Sequence, residues 1–287
     1  MSDKNSNLTL WLLVVLSAAL AIFGAMPFAI GFAGTLSIIG TIARLIFALI
    51  HGSQRLGWRN LGIMFVITCV VSWCYESLSI ATGFPFGHYE YTSELGPKLG
   101  TVPVMIMPAY FGVCYLAWVL AHVLLDKFDR QADSRLTFAI PVIASFVMVM
   151  WDMSIDPSSS TVKHEWIWQD GGSYFGVPFS NFLGWYLCVY TIFQFWAIYL
   201  MRAKPMKNCA ADEKKSSWYL PIAFYGTIFL GSIAIAALAG DGTITDAASQ
   251  VWSVKALSRS LGLVSIFSML FVTCLAFFKV RNNDHLR

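Results

Sequence analysis

Long apolar runs separated by short polar stretches are the dominant pattern in this chain of 287 residues. A helix that crosses the hydrocarbon core of a bilayer needs roughly 20 such residues. Eight runs reach or approach that length: Leu8 to Phe28, Gly34 to Ile50, Leu61 to Thr82, Val104 to Leu125, Leu136 to Ile155, Phe179 to Met201, Trp218 to Gly240 and Ala256 to Lys279. The pattern predicts an all-α polytopic membrane protein with about eight transmembrane helices, built as a single integral membrane domain over residues 1–287.

The composition supports lipid as the solvent for much of the chain. Apolar residues make up 57% of the sequence and charged residues 12%, whereas charged residues form about 25% of an ordinary soluble domain. A water-exposed surface built from so few charges would carry large apolar patches. The formal net charge of +3 is too small to indicate an anionic partner, so we expect no nucleic-acid binding.

Lysine and arginine residues concentrate on alternate connections between the apolar runs. One set of connections holds Lys4, Arg55, Arg59, Lys127, Arg130, Arg135, Arg202, Lys204, Lys207, Lys214, Lys215, Lys279, Arg281 and Arg287. The other set holds only Lys98, Lys163 and Lys255. Because cytoplasmic loops carry an excess of basic residues, the distribution predicts that both termini are cytoplasmic, in the cell (inner) membrane.

Two connections on the predicted outer side are rich in aromatic residues, Gly and Pro. The first contains GFPFGHYEY, which begins at Gly83, and the second contains HEWIWQDGGSYFGVPFSN, which begins at His164. Aromatic rings concentrate at membrane interfaces, so one interpretation is an interfacial belt. The other is a pair of folded extracytoplasmic loops that cover a cavity.

Three acidic residues fall inside or at the ends of apolar runs, where charge is costly and usually functional. Glu76 lies six residues before Thr82, about 9 Å of helix rise below the outer surface. Trp73 lies three residues earlier on the same helix face, so we expect its indole beside the carboxyl group. The alternative is that Glu76 only pairs with another helix.

The other two acids are Asp152 and Asp156 in the segment WDMSIDP. They are one helical turn apart and therefore share a face. Pro157 disfavours helical geometry for the residue before it, so we expect the helix to end there, with both carboxyl groups at the outer rim. For Asp156 the alternative is a turn-forming role before proline.

The remaining ionisable residues suggest no metal or nucleotide chemistry. Arg44 is expected to extend to the cytoplasmic surface, and Arg259 either reaches the outer surface or pairs with Glu76 or Asp152. The histidines do not show spacings that present two rings from one helix face: His51, His88, His122, His164 and His285. A metal centre is therefore not expected, and the motifs of nucleotide sites and redox cysteine pairs are missing from the sequence.

The acidic residues belong to an ordered set of motifs that resembles a known family. E-(x)6-GFPFGHYEY-(x)4-GP-(x)4-VP begins at Glu76, and WDMSIDP, W-x-W, YFGVPFSN and GW follow, ending at Trp185. This order resembles the membrane-embedded carotenoid 1,2-hydratase family of carotenoid biosynthesis, over residues Leu61 to Trp185. The resemblance implies that water is added across the terminal double bond of an acyclic carotene end group, giving a tertiary alcohol without a redox cofactor.

That reaction requires two carboxyl groups in different protonation states. A protonated carboxyl would donate to carbon 2 of the terminal isoprene unit, and water would capture the cation at carbon 1 with help from a second carboxylate. Our candidate catalytic pair is Glu76 and Asp152, with Asp156 as water orienter or substitute; the acid and the base are not distinguished. The candidate substrate-binding residues are Trp73, His88, Tyr89, Tyr91, Trp151, Trp166, Trp168 and Asn181.

The expected partners are a carotenoid or related isoprenoid, the lipid bilayer, and water as co-substrate. Two other classes of protein fit the same residues. A membrane carrier or binding protein for a lipophilic isoprenoid could use the carboxyl groups to bind protons. A structural subunit of a larger membrane complex could use them only to pair helices.

Overall fold

The computed structural model describes residues 3–128, 136–203, 214–284 and 286. Seven helical segments in these ranges are long and apolar enough to cross a bilayer. The helices are Asp3–Gly24 (α1), Ala33–Thr82 (α2), Ile106–Leu124 (α3), Leu136–Pro157 (α4), Phe179–Arg202 (α5), Lys215–Leu238 (α6), Val254–Val264 (α7) and Phe271–Arg281 (α8). A 3₁₀ segment, Pro27–Phe32, connects α1 to α2. π-helical turns at Ser158–Val162 and Ser265–Leu270 continue α4 and join α7 to α8.

Some residues that entered the sequence predictions lie outside the described residues. They are Arg130, Arg135, Lys204, Lys207, His285 and Arg287.

Helix α2 contains two of the eight predicted segments. Its 50 residues would span about 75 Å if straight, far more than the roughly 30 Å of a bilayer core. The helix breaks at Gly57, whose φ of 75° and ψ of 154° suit glycine because it lacks a Cβ atom. Near the start of α2, the Ser37 hydroxyl donates to Glu165 in the loop that follows the π-helical turn of α4. Both ends of α2 therefore lie on the same side of the bundle, and two of the eight predicted segments fall on this one long helix.

Helix α3 forms the centre of the bundle. Nearly all of its residues are buried, and it packs against α2, α4, α6 and α8. A helix that is apolar on every side is expected to be surrounded by other helices or by lipid. Exposed large apolar side chains, such as Val15 and Phe267, lie on α1, α2, α5 and the segment formed by α7 and α8.

The C-terminal end of the chain lies on the side opposite the aromatic-rich loops. Near the C-terminus, Lys279 pairs with Asp126 after α3, and the Arg281 carbonyl accepts a hydrogen bond from Lys215 at the start of α6. His51 on α2 contacts the Ser217 carbonyl at the same level. Which of the two sides is cytoplasmic stays a prediction from the basic residues.

A short antiparallel sheet joins the two aromatic-rich loops. Strand β1 (Tyr89–Tyr91) pairs with β4 (Trp166–Trp168), with Tyr89 opposite Trp168 and Tyr91 opposite Trp166. Strands β2 (Lys98–Leu99) and β3 (Val102–Pro103) form a hairpin in the first loop, and β5 (Thr243–Thr245) and β6 (Val251–Ser253) form another before α7. We call β1 and β4 the lid. Because Tyr89, Tyr91 and Trp168 are buried, the lid interpretation describes these loops better than an interfacial belt.

Candidate active site

A cavity of about 270 Å³ lies beneath the lid, and helices α1 to α7 contribute to its wall. We call it the carboxyl cavity, because its wall carries the side chains of Glu76, Asp152, Asp156 and Glu165. The rest of the wall is mostly aromatic, apolar or small. A concave, apolar site with a few converging polar groups is the usual form of a small-molecule site.

Glu76 is buried and accepts three hydrogen bonds from phenol groups. Tyr89 and Tyr91 both donate to Oε2, the latter at 2.9 Å, and Tyr110 donates to Oε1 at 2.7 Å. The two lid tyrosines reach the same carboxyl because alternate residues of a strand face one side. Burial, and then the nearby Glu76 charge, raises the pKa of Tyr89 and of Tyr91 well above its usual range. Both phenols therefore remain donors at neutral pH.

Tyr110 is a member of this cluster that the sequence did not indicate. It lies within the apolar run of α3, and its ring stacks on Trp185 with centroids 4.5 Å apart. Trp185 in turn contacts Trp151 edge to face at 5.7 Å. Trp185 could have been selected from the sequence, because it is the last residue of the motif set that resembles a known family. No periodicity distinguishes Tyr110 from the buried residues around it.

Asp152 and Asp156 form a second carboxyl cluster on the same cavity. One amide group bridges them: Asn181 Nδ2 donates to Asp152 Oδ2 at 3.0 Å and to Asp156 Oδ2 at 2.7 Å. The indole N–H groups of Trp166 and Trp168 donate to Asp156 Oδ1 at 2.9 and 3.2 Å. Asp156 thus has three donors fixed around it, whereas Asp152 has one.

The expectation that α4 ends before Pro157 was wrong. The helix continues through Asp156 and Pro157 into the π-helical turn, and Pro157 has helical φ and ψ. A proline within a helix leaves the carbonyl four residues earlier without its usual N–H donor. Here the Tyr174 hydroxyl donates to that carbonyl, Met153 O, at 3.1 Å. The continued helix turns both carboxyl groups into the carboxyl cavity rather than to an outer rim.

Two of the predicted substrate-binding residues do not line the carboxyl cavity. Trp73 donates from Nε1 to Leu99 O in the first loop, so its indole supports the loop instead of lying against Glu76. His88 pairs with Asp170 at 2.8 Å, and both side chains are more than half exposed. Because alternate strand residues face opposite sides, the residue before Tyr89 points away from the cavity. The other six predicted residues line the cavity: Tyr89, Tyr91, Trp151, Trp166, Trp168 and Asn181.

Of the two arginines within apolar runs, Arg44 differs from expectation and Arg259 follows one of its two predicted alternatives. Arg44 lines the carboxyl cavity instead of extending to the cytoplasmic surface, and its guanidinium lies 5.9 Å from the centre of the Trp151 ring. It packs against Gly112 on α3, where a Cβ atom would come within 2.9 Å of Arg44 Cγ. Arg259 is exposed, so it does not pair with Glu76 or Asp152.

A fourth carboxyl group, that of Glu165, was missed in the sequence. It is buried, and Oε1 accepts a hydrogen bond of 2.6 Å from Ser37 on α2. Its backbone N–H donates to Ser159 O in the π-helical turn, and Lys163 also lines the cavity. The aromatic-rich HEWIW segment could have drawn attention to Glu165, but in the sequence this residue looks like an ordinary exposed loop glutamate.

The histidines are dispersed within the described ranges. His51 contacts the Tyr115 hydroxyl at 2.6 Å and His122 contacts Trp118 O at 2.9 Å, both away from the lid, whereas His88 and His164 lie in the outer loops. Among the residues that the structure describes, no group of three His, Cys, Asp or Glu side chains is arranged to hold a metal ion.

Fold and site together define a class: a polytopic helical membrane protein with a lid-covered cavity in which buried carboxyl groups face aromatic rings. The family model described as carotenoid biosynthesis protein matches residues 32–254, which is most of the chain. The chain therefore belongs to the carotenoid biosynthesis protein family.

One curated relative is similar over part of the chain. It is a bisanhydrobacterioruberin hydratase from Haloarcula japonica, 28% identical over 165 residues, which cover 57% of this chain and 54% of the relative. The match thus spans about half the length of that protein. No solved structure matches this chain.

Proposed function

We propose that this protein is a carotenoid hydratase that adds water across the terminal 1,2 double bond of an acyclic carotene end group. One observation carries the proposal: two separate carboxyl clusters, with different hydrogen-bond donors, face one apolar cavity inside the membrane. The family and the name of the relative support this reaction class. The product is a tertiary alcohol, and the reaction involves no net oxidation.

The cavity size suits an end group rather than a whole carotene. Its volume of about 270 Å³ is slightly below the roughly 300–1,000 Å³ of sites that enclose a drug-sized ligand. Small and apolar residues of α1, α2 and α6, such as Ala21, Gly40 and Ile228, continue the wall away from the lid. The rest of the polyene would run along these residues toward lipid.

Glu76 is the proposed proton donor to carbon 2. As its proton leaves, negative charge develops on its two oxygens, and three phenol groups already donate to them. A hydrogen bond to a charged acceptor is roughly twice as strong as one to a neutral acceptor. The cluster therefore stabilises the donor more in the transition state than in the ground state, which is the requirement for catalysis.

The tertiary cation at carbon 1 would be held by aromatic faces and by negative charge. Trp151 and Trp185 form one part of the wall, and indole faces attract cations. Asp156 is fixed by three N–H donors, groups that can only donate, so they suit an ionised carboxylate. Its charge adds to the negative potential at this end of the cavity.

Asp152 is the proposed base that takes a proton from the attacking water. Its Oδ2 accepts from Asn181, and no other side chain among the described residues forms a hydrogen bond to this carboxylate. One oxygen is therefore available to a water molecule. The pair predicted from the sequence is retained in this proposal, with Glu76 as acid and Asp152 as base.

We further propose that the lid faces the outside of the cell membrane and that both termini are cytoplasmic. The support is the 14-to-3 division of basic residues between the two sets of connections. Water would then reach the site from the outer side, past the polar group formed by Ser37, Lys163 and Glu165.

The test uses purified protein and an acyclic carotene in detergent, without oxygen, with a chelator and in heavy-oxygen water. We expect a product that has gained one water and carries the heavy label. Glu76→Gln protein, purified in the same way, is the control for uncatalysed hydration. Product that requires molecular oxygen would refute the hydratase assignment. Carotene that binds and returns unchanged would instead support a carrier.

A further inference from the structure

The side-chain amide of Asn181 forms hydrogen bonds through its nitrogen but not through its oxygen. The residue lies in the first turn of α5, is completely buried and lines the carboxyl cavity. Its Nδ2 group donates to both Asp152 and Asp156. Its Oδ1 atom is buried and has no hydrogen-bond partner among the described residues.

The chemistry of the neighbours fixes which amide atom is free. The engaged atom contacts two carboxylate oxygens, which are acceptors, so it must be the NH₂ group. The carbonyl oxygen is therefore the atom left without a partner. A buried acceptor without a hydrogen bond costs roughly 1–3 kcal/mol, so this position favours a ligand that donates a proton.

Other polar groups on the wall are less suited to that role. Ser154 donates to Trp151 O, and Ser232 donates to Ser154 O, so the protons of both hydroxyls are directed at backbone. Asn181 Oδ1 is instead an acceptor that lies on the same residue as the bridge to Asp152. A water molecule that donates one proton to Oδ1 would therefore lie close to the proposed base.

We propose that Asn181 Oδ1 binds the water molecule that adds to the substrate, an inference that rests on the proposed hydratase function. Glu76 transfers its proton to carbon 2, and the electron pair of the double bond forms the new C–H bond. The water oxygen then bonds to the cation at carbon 1 while one water proton passes to Asp152. The other proton stays on the oxygen as the product hydroxyl, hydrogen-bonded to Asn181.

This role makes a prediction about how the cation divides between two fates. A cation that is not captured by water loses a proton and returns to alkene. In heavy water, the recovered carotene then carries deuterium at carbon 2. The ratio of hydration to deuterium exchange therefore measures water capture separately from protonation.

The experiment compares this ratio in the wild type, Asn181→Leu, Asn181→Ala and Asn181→Asp. We expect the two apolar variants to lower the ratio about tenfold, the effect of one buried hydrogen bond, while deuterium exchange continues. Asn181→Asp keeps an oxygen acceptor but loses the bridging donor, so its ratio should stay near that of the wild type although its total rate falls. If the Asn181→Leu protein does not accumulate in the membrane, the comparison is made with Asn181→Ala.

The matched control is Asn60→Leu, which removes a half-buried amide away from the carboxyl cavity. Asn60 lies near the opposite membrane surface and accepts from Tyr199, so the ratio should not change. Hydration and exchange that fall in parallel in the apolar Asn181 variants would overturn the water site. A wild-type protein that shows neither hydration nor exchange would instead overturn the proposed function.

Discussion

The proton-donor role of Glu76 is tested most sharply by removing a single phenol oxygen. Tyr110 is the best choice, because it comes from α3 rather than the lid and, among the described residues, is the one side chain that donates to Oε1. Its ring stacks on Trp185, and phenylalanine would keep that packing. The change Tyr110→Phe therefore removes one hydrogen bond with little effect on the wall.

The expected size of the effect follows from the change in charge on Glu76. A buried hydrogen bond contributes about 0.5–1.5 kcal/mol to a neutral acceptor and about 1.5–3 kcal/mol to a charged one. The difference, about 1 kcal/mol, is what protonation of the substrate loses when one phenol is removed. This corresponds to a rate roughly 5- to 10-fold lower. The double variant Tyr110→Phe/Tyr91→Phe should lower the rate further than Tyr110→Phe alone, although two effects on one carboxyl group are not strictly additive.

The assay is hydration together with deuterium exchange in heavy water. Both rates should fall by the same factor in Tyr110→Phe, because protonation precedes both fates of the cation, and the ratio should not change. The control is Tyr199→Phe, whose hydroxyl donates to Asn60 away from the cavity. A Tyr110→Phe protein that accumulates normally and hydrates at the wild-type rate would refute Glu76 as the donor.

Four further predictions follow from the same geometry. Asp152→Asn removes the proposed base and should lower hydration by roughly 10²–10⁴-fold in protein that still accumulates; an active variant would exclude the role. Gly184→Ala places a Cβ atom 2.7 Å from a backbone oxygen of the first loop, so the loop must shift and activity should fall roughly 10²-fold, as a kinetic assay of membranes would detect. Cysteine placed at exposed Ser93 should react with an impermeant reagent from outside, whereas cysteine at exposed Lys214 should not; labelling in the reverse pattern would overturn the orientation. Burial raises the pKa of Tyr91 well above 10.0, so the phenol stays protonated, and able to donate, at every pH below that raised pKa. A pH–rate profile should therefore show no loss of activity from ionisation of Tyr91 up to about pH 10.

Several predicted features depended only on local sequence and are present in the fold. Apolar runs of sufficient length gave the helices, because every backbone polar group in lipid must be satisfied within a helix or barrel. Asp152 and Asp156 share a face because they are four residues apart on one helix, a relation that needs no tertiary contact.

Other features required knowledge of which segments meet. The prediction that α4 ends before Pro157 was wrong, because the Tyr174 hydroxyl donates to the carbonyl that the proline leaves without its usual N–H donor. Trp73 has the right spacing to contact Glu76, yet the nearby Leu99 carbonyl holds its indole in the loop. In both cases a hydrogen bond to a loop more than 20 residues away along the chain decided the outcome.

The sequence by itself determined a membrane-spanning helical protein and the carboxyl groups that its lipid-embedded segments carry. Only the tertiary structure decided that Tyr110 from α3 reaches Glu76, that Arg44 turns inward, and that Asn181 bridges two aspartates. The reason is physical: helical spacing fixes which residues share a face, but the partner of a buried polar group is set by whichever segment brings a donor within about 3 Å. That choice depends on how the helices and loops pack together, which no local pattern specifies.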